Sequence, residues 1–202
     1  MNNNGCRCAF LRAVEYLTEP EKRLFKDPYS FYFLLPMFRS IIYLMRAKWF
    51  YNWMVQIREK ATPGVLGGIY CRTRYFDDTI RNAIADGFKA VVNLGAGNDS
   101  RALRIEELNL ARVIETDHPD LIAAKKMILN KKPLFVPDHL VLVPIDFEKQ
   151  DLAEELKKAG YSSDLKTLFI FEGVSQYISH EAFFETLRFI SSTAKGSCVA
   201  FT

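Results

Sequence analysis

Four places in this chain put small or acidic residues directly after an apolar run. They are Gly95-Ala96-Gly97 after "AVVNL", Asp117 after "RVIET", Asp146-Phe147 after "LVLVPI", and Glu172-Gly173 after "LFIF". Glycines let a backbone turn sharply and come close to a ligand. Asp117 follows Gly97 at about the 20-residue distance at which an acid reaches the hydroxyls of a bound ribose. The same residue also suits the N-cap of a helix starting at Pro119. Asp146 can accept a hydrogen bond from an adenine amino group with Phe147 on the ring, or simply turn the chain before the next helix. Glu172 would lie at the floor of any cleft above these runs, where a carboxylate is costly to desolvate without a partner. It would attract a cation or pair with a helix arginine. Upstream, "YCRTRYFDD" carries Arg72 and Arg74, guanidinium groups suited to a carboxylate or phosphate, or else to Asp77 and Asp78.

These residues need a scaffold that brings strand ends together. Short apolar runs at Ala90–Leu94, Arg112–Glu115, Leu140–Pro144, Thr167–Phe171 and Ser197–Thr202 read as strands buried on both faces of a parallel sheet. Helix-like stretches at Ser100–Leu108, Pro119–Asn130, Asp151–Ala159 and His180–Thr193 alternate with them, with Asp151 and Ser179 as N-caps and Gly160 as a stop. The alternation predicts a doubly wound, mostly parallel α/β sheet, whose ligands sit outside the carboxyl ends of the strands. Residues 1 to about 80 read as a separate helical part, and residues 81–202 as the sheet core. "TPGVLGG" at 62–68 reads as a loop between helices.

With 49% hydrophobic residues among 202, the chain can fill one substantial core. A net charge of +3, evenly spread, does not call for nucleic acid. The lysine-rich "AKKMILNKK" at 124–132 reads as a solvated helix face. Cys6, Cys8, Cys71 and Cys198 form no CxxC pair and stand at no zinc spacing to His118, His139 or His180, so no metal site is expected and the thiols read as reduced. The polar "MNNNGCRC" lacks the apolar core of a secretory signal, which predicts a cytoplasmic protein. The aromatic-rich stretch 31–55 is interrupted by Pro36, Arg39, Arg46, Lys48 and Asn52. That is too broken for a membrane span, and the stretch reads as a helical layer rather than a membrane contact.

"RTRYFDD", "VVNLGAGNDSRALRI", "VIETDHP", "VPIDFEKQD" and "FIFEGVSQYIS" stand in the order and spacing of the leucine carboxyl methyltransferase-like family. The chain resembles that branch of the S-adenosylmethionine-dependent O-methyltransferases from about Asp27 onward. The resemblance implies a Rossmann-like class I methyltransferase core, an N-terminal helical cap and S-adenosylmethionine as cofactor. It implies Arg72 on the methionine carboxylate, with Arg74 a weaker alternative, Gly95 and Gly97 against the methionyl part, and Asp117 on the ribose hydroxyls. It further implies Asp146 and Phe147 around the adenine and Glu172 near the amino or sulfonium end. "KRLFKDPY" at 22–29 resembles the family's stretch before its Asp-Pro pair and brings in Lys22 as a further cofactor contact.

The charges suit such a cofactor, which carries an ammonium, a sulfonium and a carboxylate. A nicotinamide dinucleotide would want a fuller glycine loop, where this chain has Ser100, and would meet the carboxylate of Asp99. A nicotinamide-dependent oxidoreductase is therefore the lesser alternative. Acceptors in the family range from the carboxyl terminus of a protein phosphatase subunit to small molecules, and a carboxylate acceptor needs no catalytic base. For a hydroxyl acceptor, Tyr177 and His180 are the nearest bases. The family fold commonly continues past its fifth strand with a helix and an antiparallel strand pair, whereas this chain ends at "CVAFT". The C-terminal strands are thus expected to be missing. That leaves a sheet edge that would invite pairing into a homo-oligomer, and makes a non-catalytic cofactor-binding relative the other alternative.

Overall fold

The computed structural model describes residues 3–131 and 133–202. The chain forms two compact units, one of Asp78–Gly97 with Ile105–Thr202, the other of the described residues up to Asp77 with Asn98–Arg104.

In the first unit, β1 (Ala90–Leu94), β2 (Arg112–Asp117), β3 (Leu140–Pro144), β4 (Thr167–Phe171) and β5 (Cys198–Phe201) form one parallel sheet in the order β3-β2-β1-β4-β5. Every residue of β1 and β4 is buried, as continuous apolar runs in the middle of a two-faced sheet require. The order reverses between β1 and β4, the point at which doubly wound sheets open a crevice at their carboxyl ends. β2 runs two residues further than its apolar pattern suggests, because Thr116 and Asp117 stay in register with Val143 and Pro144. Asp117 is thus the last residue of the strand rather than the first of a loop.

Parallel strands need crossovers, here α6 (Pro119–Leu129) from β2 to β3, α7 (Leu152–Lys158) from β3 to β4, and α8 (His180–Ser191) from β4 to β5. Right-handed crossovers to opposite sides of β1 put α6 and α8 on opposite faces. The Asp151 carboxylate accepts from Glu154 N at 3.0 Å and the Ser179 hydroxyl from Ala182 N at 3.2 Å, so both caps form as their residue types predict. Gly160, at φ +78°, ends α7. On one face of the sheet Phe171 stacks on Phe183 at 5.7 Å, and Tyr161 bonds Thr167 Oγ1 at 2.9 Å.

The helical unit holds α1 (Asn3–Glu15), α2 (Pro36–Leu44), α3 (Lys48–Ala61), most of α4 (Val65–Ala85), and α5 (Arg101–Arg104). Two expectations fail here. "TPGVLGG" is not a seven-residue loop: only 62–64 break the helices, with Gly64 at φ +76°, while Gly67 and Gly68 lie inside α4. Residues 100–108 are not one helix either. The buried Ile105 is extended and separates α5 from a 3-10 turn at Glu106–Leu110. Buried charges tie this unit together. Asp27 accepts from Arg12 Nε at 2.9 Å and Ser100 Oγ at 2.7 Å. Asp77 takes both terminal nitrogens of Arg104, at 2.5 and 2.7 Å, and Arg101 Nε at 3.0 Å. Burial works against the charge of Arg12, but Asp27 and Asp99 outweigh it and hold the guanidinium above its ordinary value.

Among the described residues, no helix is long and apolar enough to cross a membrane.

Candidate functional site

The turn after β1 is fixed from two sides. Gly95 N and Ala96 N both donate to the Thr116 carbonyl, at 2.8 and 2.9 Å, and Gly97 N donates to Asp117 Oδ2 at 2.6 Å. Gly95 and Gly97 both have positive φ, +73° and +49°, where a side chain is strained. Their surroundings differ. A Cβ on Gly95 would overlap the Val174 side chain, so this glycine makes room for the protein itself. A Cβ on Gly97 would meet only Asp117 Oδ2 at 3.9 Å, which leaves space for a ligand.

Asp117 does not cap α6; His118 takes that place, its Nδ1 accepting from Asp120 N at 3.5 Å. The Asp117 carboxylate instead accepts from Gly97 N and, at 2.7 Å, from His118 N. Burial pushes it above the ordinary carboxylate value, and the Gly97 and His118 N–H groups and the Lys125 charge work against that push. Its carbonyl accepts from Ile145 N at 2.8 Å, which ties the loop after β3 to the same place.

Asp146 follows at once. Its carboxylate accepts from Lys149 Nζ at 2.8 Å and Glu148 N at 3.1 Å, and these, the lysine first, hold it below the ordinary value. The chain-turning role weighed for Asp146 is therefore filled, with lone pairs left over for another donor. Phe147 packs against the sheet core and lines a groove between α7 and α8. Glu172 is half-buried directly after β4. Its loop is fastened by Gly173 N donating to Thr202 Oγ1 at 3.1 Å. The four strand ends β1 to β4 thus deliver Gly95, Gly97, Asp117, Asp146, Phe147 and Glu172 to one edge of the sheet.

Arg72 and Lys22 belong to the helical unit. Arg72 is half-buried on α4. Arg74, about 200° further round the helix, donates to the Leu24 carbonyl at 2.9 Å, so the two arginines do not form one fork. Asp77 is fully buried, and its arginine partners come from α5. Lys22 is exposed and paired with Glu19. Asp99 pairs with Arg101 at 2.7 Å, so its charge is compensated and the repulsion of a pyrophosphate argued from its type alone falls away. Ser100, at the third-glycine position, is fully buried against Asp27. Tyr177 is exposed in a 3-10 turn, and His180 opens α8. Among the described residues, no three His, Cys, Asp or Glu side chains are grouped to hold a metal.

Two participants escape a sequence reading. Val174 stands in "EGV", next to residues already singled out, yet an apolar residue carries no chemical flag. Lys125 lies in the stretch read as a solvated helix face but is buried, and forms an ion pair with Glu115 at 2.5 Å. Lys132, the last residue of that stretch, lies outside the described residues.

Known proteins bear on this arrangement. The chain is 36% identical over 131 residues to the "Putative S-adenosyl-L-methionine-dependent methyltransferase YktD" of Bacillus subtilis, covering 64% of this chain and 41% of that protein. It is 31% identical over 135 residues to a like-named protein of Frankia alni, covering 66% and 47%. The matches thus span less than half the length of these relatives. Among solved structures, a DUF574 family protein from Streptomyces avermitilis superposes with a TM-score of 0.51 at 12% identity, over 95% of this chain and 66% of that one. At that identity the likeness speaks for the fold alone. The family model described as leucine carboxyl methyltransferase matches residues 5–191, nearly the whole length, and the chain belongs to that family.

Proposed function

We propose that this chain binds S-adenosylmethionine at the carboxyl ends of β1 to β4, as the cofactor-binding part of an enzyme that methylates a carboxylate or hydroxyl oxygen. The observation that carries the reading is the Gly97–Asp117 pair. A half-buried carboxylate at the end of β2 holds the turn after β1 through the Gly97 N–H, beside space that a side chain would fill. Lone pairs remain on that carboxylate for the hydroxyls of a ribose. Family membership and the names of the relatives support the same cofactor.

The residues suit the charges of the cofactor. Asp117 takes the ribose hydroxyls, Asp146 and Phe147 frame the adenine, and Glu172 faces the cationic end. Arg72 takes the carboxylate, with Lys22 as a further contact. When bound, the cofactor supplies an activated methyl group on a sulfonium, which an acceptor oxygen takes up in one displacement. The protein's part is then to orient and to exclude water, and well-held reactants gain roughly 7–11 kcal/mol that way. A carboxylate acceptor carries no proton to remove, so no residue is assigned as a base.

Calorimetric titration with S-adenosylmethionine, S-adenosylhomocysteine and NADH tests this. Binding of the first two, weakened at least about tenfold in Arg72→Ala, a loss typical of a charged hydrogen bond, is the expected result. Binding of NADH in their place overturns the reading.

A further inference from the structure

Glu115 on β2 and Lys125 on α6 form an ion pair at 2.5 Å with both side chains 2% exposed. A buried ion pair is commonly no more stabilising than two apolar side chains of the same size. The neighbours Val113 and Ile114 on β2 and Ile122 and Leu129 on α6 are buried and apolar, so packing alone does not call for a charge here. The location does. Glu115 precedes Asp117 by two residues on one strand, so the two side chains leave the same face of the sheet from Cα atoms roughly 7 Å apart. Asn93, the register partner of Glu115, is also buried and precedes Gly95 by two residues on β1. A polar layer of Asn93, Glu115 and Lys125 therefore underlies the glycine turn and Asp117.

We propose that Lys125, held by Glu115, is a positioning residue that keeps the Asp117 carboxylate charged for the ribose hydroxyls of the cofactor. This rests on the S-adenosylmethionine reading above. The groups acting on Asp117 are the N–H donors of Gly97 and His118, the His118 imidazole and the Lys125 ammonium. Of these, Lys125 is the side chain buried in the layer beneath the turn, paired with Glu115. Burial favours the neutral acid at Asp117, and Lys125 opposes it.

The sign follows from the chemistry of binding. Ribose hydroxyls donate to the charged carboxylate, so affinity is full above the Asp117 pKa of the free protein and falls as pH drops through it. Without the Lys125 charge that midpoint moves up, by about one pH unit if the cation contributes about a tenfold preference.

The experiment is calorimetric affinity for S-adenosylhomocysteine between about pH 5 and about pH 8, with unfolding temperature measured on each sample. Wild type is compared with Lys125→Met/Glu115→Leu and with Lys126→Met, which removes an exposed charge next in sequence. The double variant is expected to unfold cooperatively like wild type, with its affinity midpoint moved up by about one unit, while Lys126→Met overlays wild type. If the double variant fails to fold, Lys125→Gln/Glu115→Gln, which keeps a polar pair without either charge, serves instead, and the same upward move is expected of it. A folded double variant of either kind whose curve overlays wild type overturns the proposal. Absence of binding by wild type at every pH overturns the cofactor reading itself, and this inference with it.

Discussion

Gly95 and Gly97 share a residue type and a left-handed backbone, yet they are glycine for different reasons. Gly95 yields its side-chain space to Val174, while Gly97 faces open space beside Asp117. Gly95→Ala adds an overlap, about 1–3 kcal/mol, to the backbone strain of roughly 1–2 kcal/mol that either substitution brings. The expected outcome in denaturant melts is that Gly95→Ala is the more destabilised of the two and recovers the overlap share when combined with Val174→Ala. Gly97→Ala is expected to lose more cofactor affinity than its smaller stability loss suggests. Equal stability losses, with no recovery in the double variant, would remove the assigned division of labour. At this scale the sequence is a good guide to position, since Asp117 and the glycines stand at adjoining strand ends as their order after the apolar runs predicts. It is a poor guide to Lys125, because a lysine in a lysine-rich helix looks the same whether its ammonium meets water or a buried Glu115.

Elements were legible in proportion to how locally they are determined. β1 and β4 match their apolar runs residue for residue, since strands buried on both faces admit few polar residues. The ends of β2, α4 and α5 did not follow local pattern. β2 is prolonged by pairing with β3, Gly67 and Gly68 are carried by a long helix despite their propensity, and α5 stops where Ile105 turns into the core. The start of α8 is local again, and it bears on the site, because Ser179 also donates its N–H to Glu148 Oε1 at 2.7 Å in the loop after β3. Ser179→Ala is expected to cost about 1 kcal/mol through the lost cap. Thermal melts of that variant and of Asp151→Ala should show similar losses, with the cofactor site intact in both.

For the molecule as a whole, the decisive charges pair over long sequence distances. Asp77 meets Arg101 and Arg104, and Asp27 meets Ser100, pairings that no window along the chain contains. Spacing alone offers Asp77 to Arg72 or Arg74, whereas the fully buried carboxylate meets the arginines of α5. Asp77→Asn would leave two buried guanidinium groups short of their counter-charge. It is expected to cost about 3–5 kcal/mol in denaturant unfolding, and a loss under about 1 kcal/mol would mean that the arginines find other partners.

The helical unit is not a continuous piece of chain: it waits for residues 98–104, which follow β1. A ribosome releasing this protein from its N-terminus therefore delivers Asp77 well before either of its arginines. Until Arg101 and Arg104 have been made, Asp77 lacks the guanidinium partners it meets in the folded unit. Completion of the N-terminal unit is timed by a segment encoded beyond the first strand of the sheet.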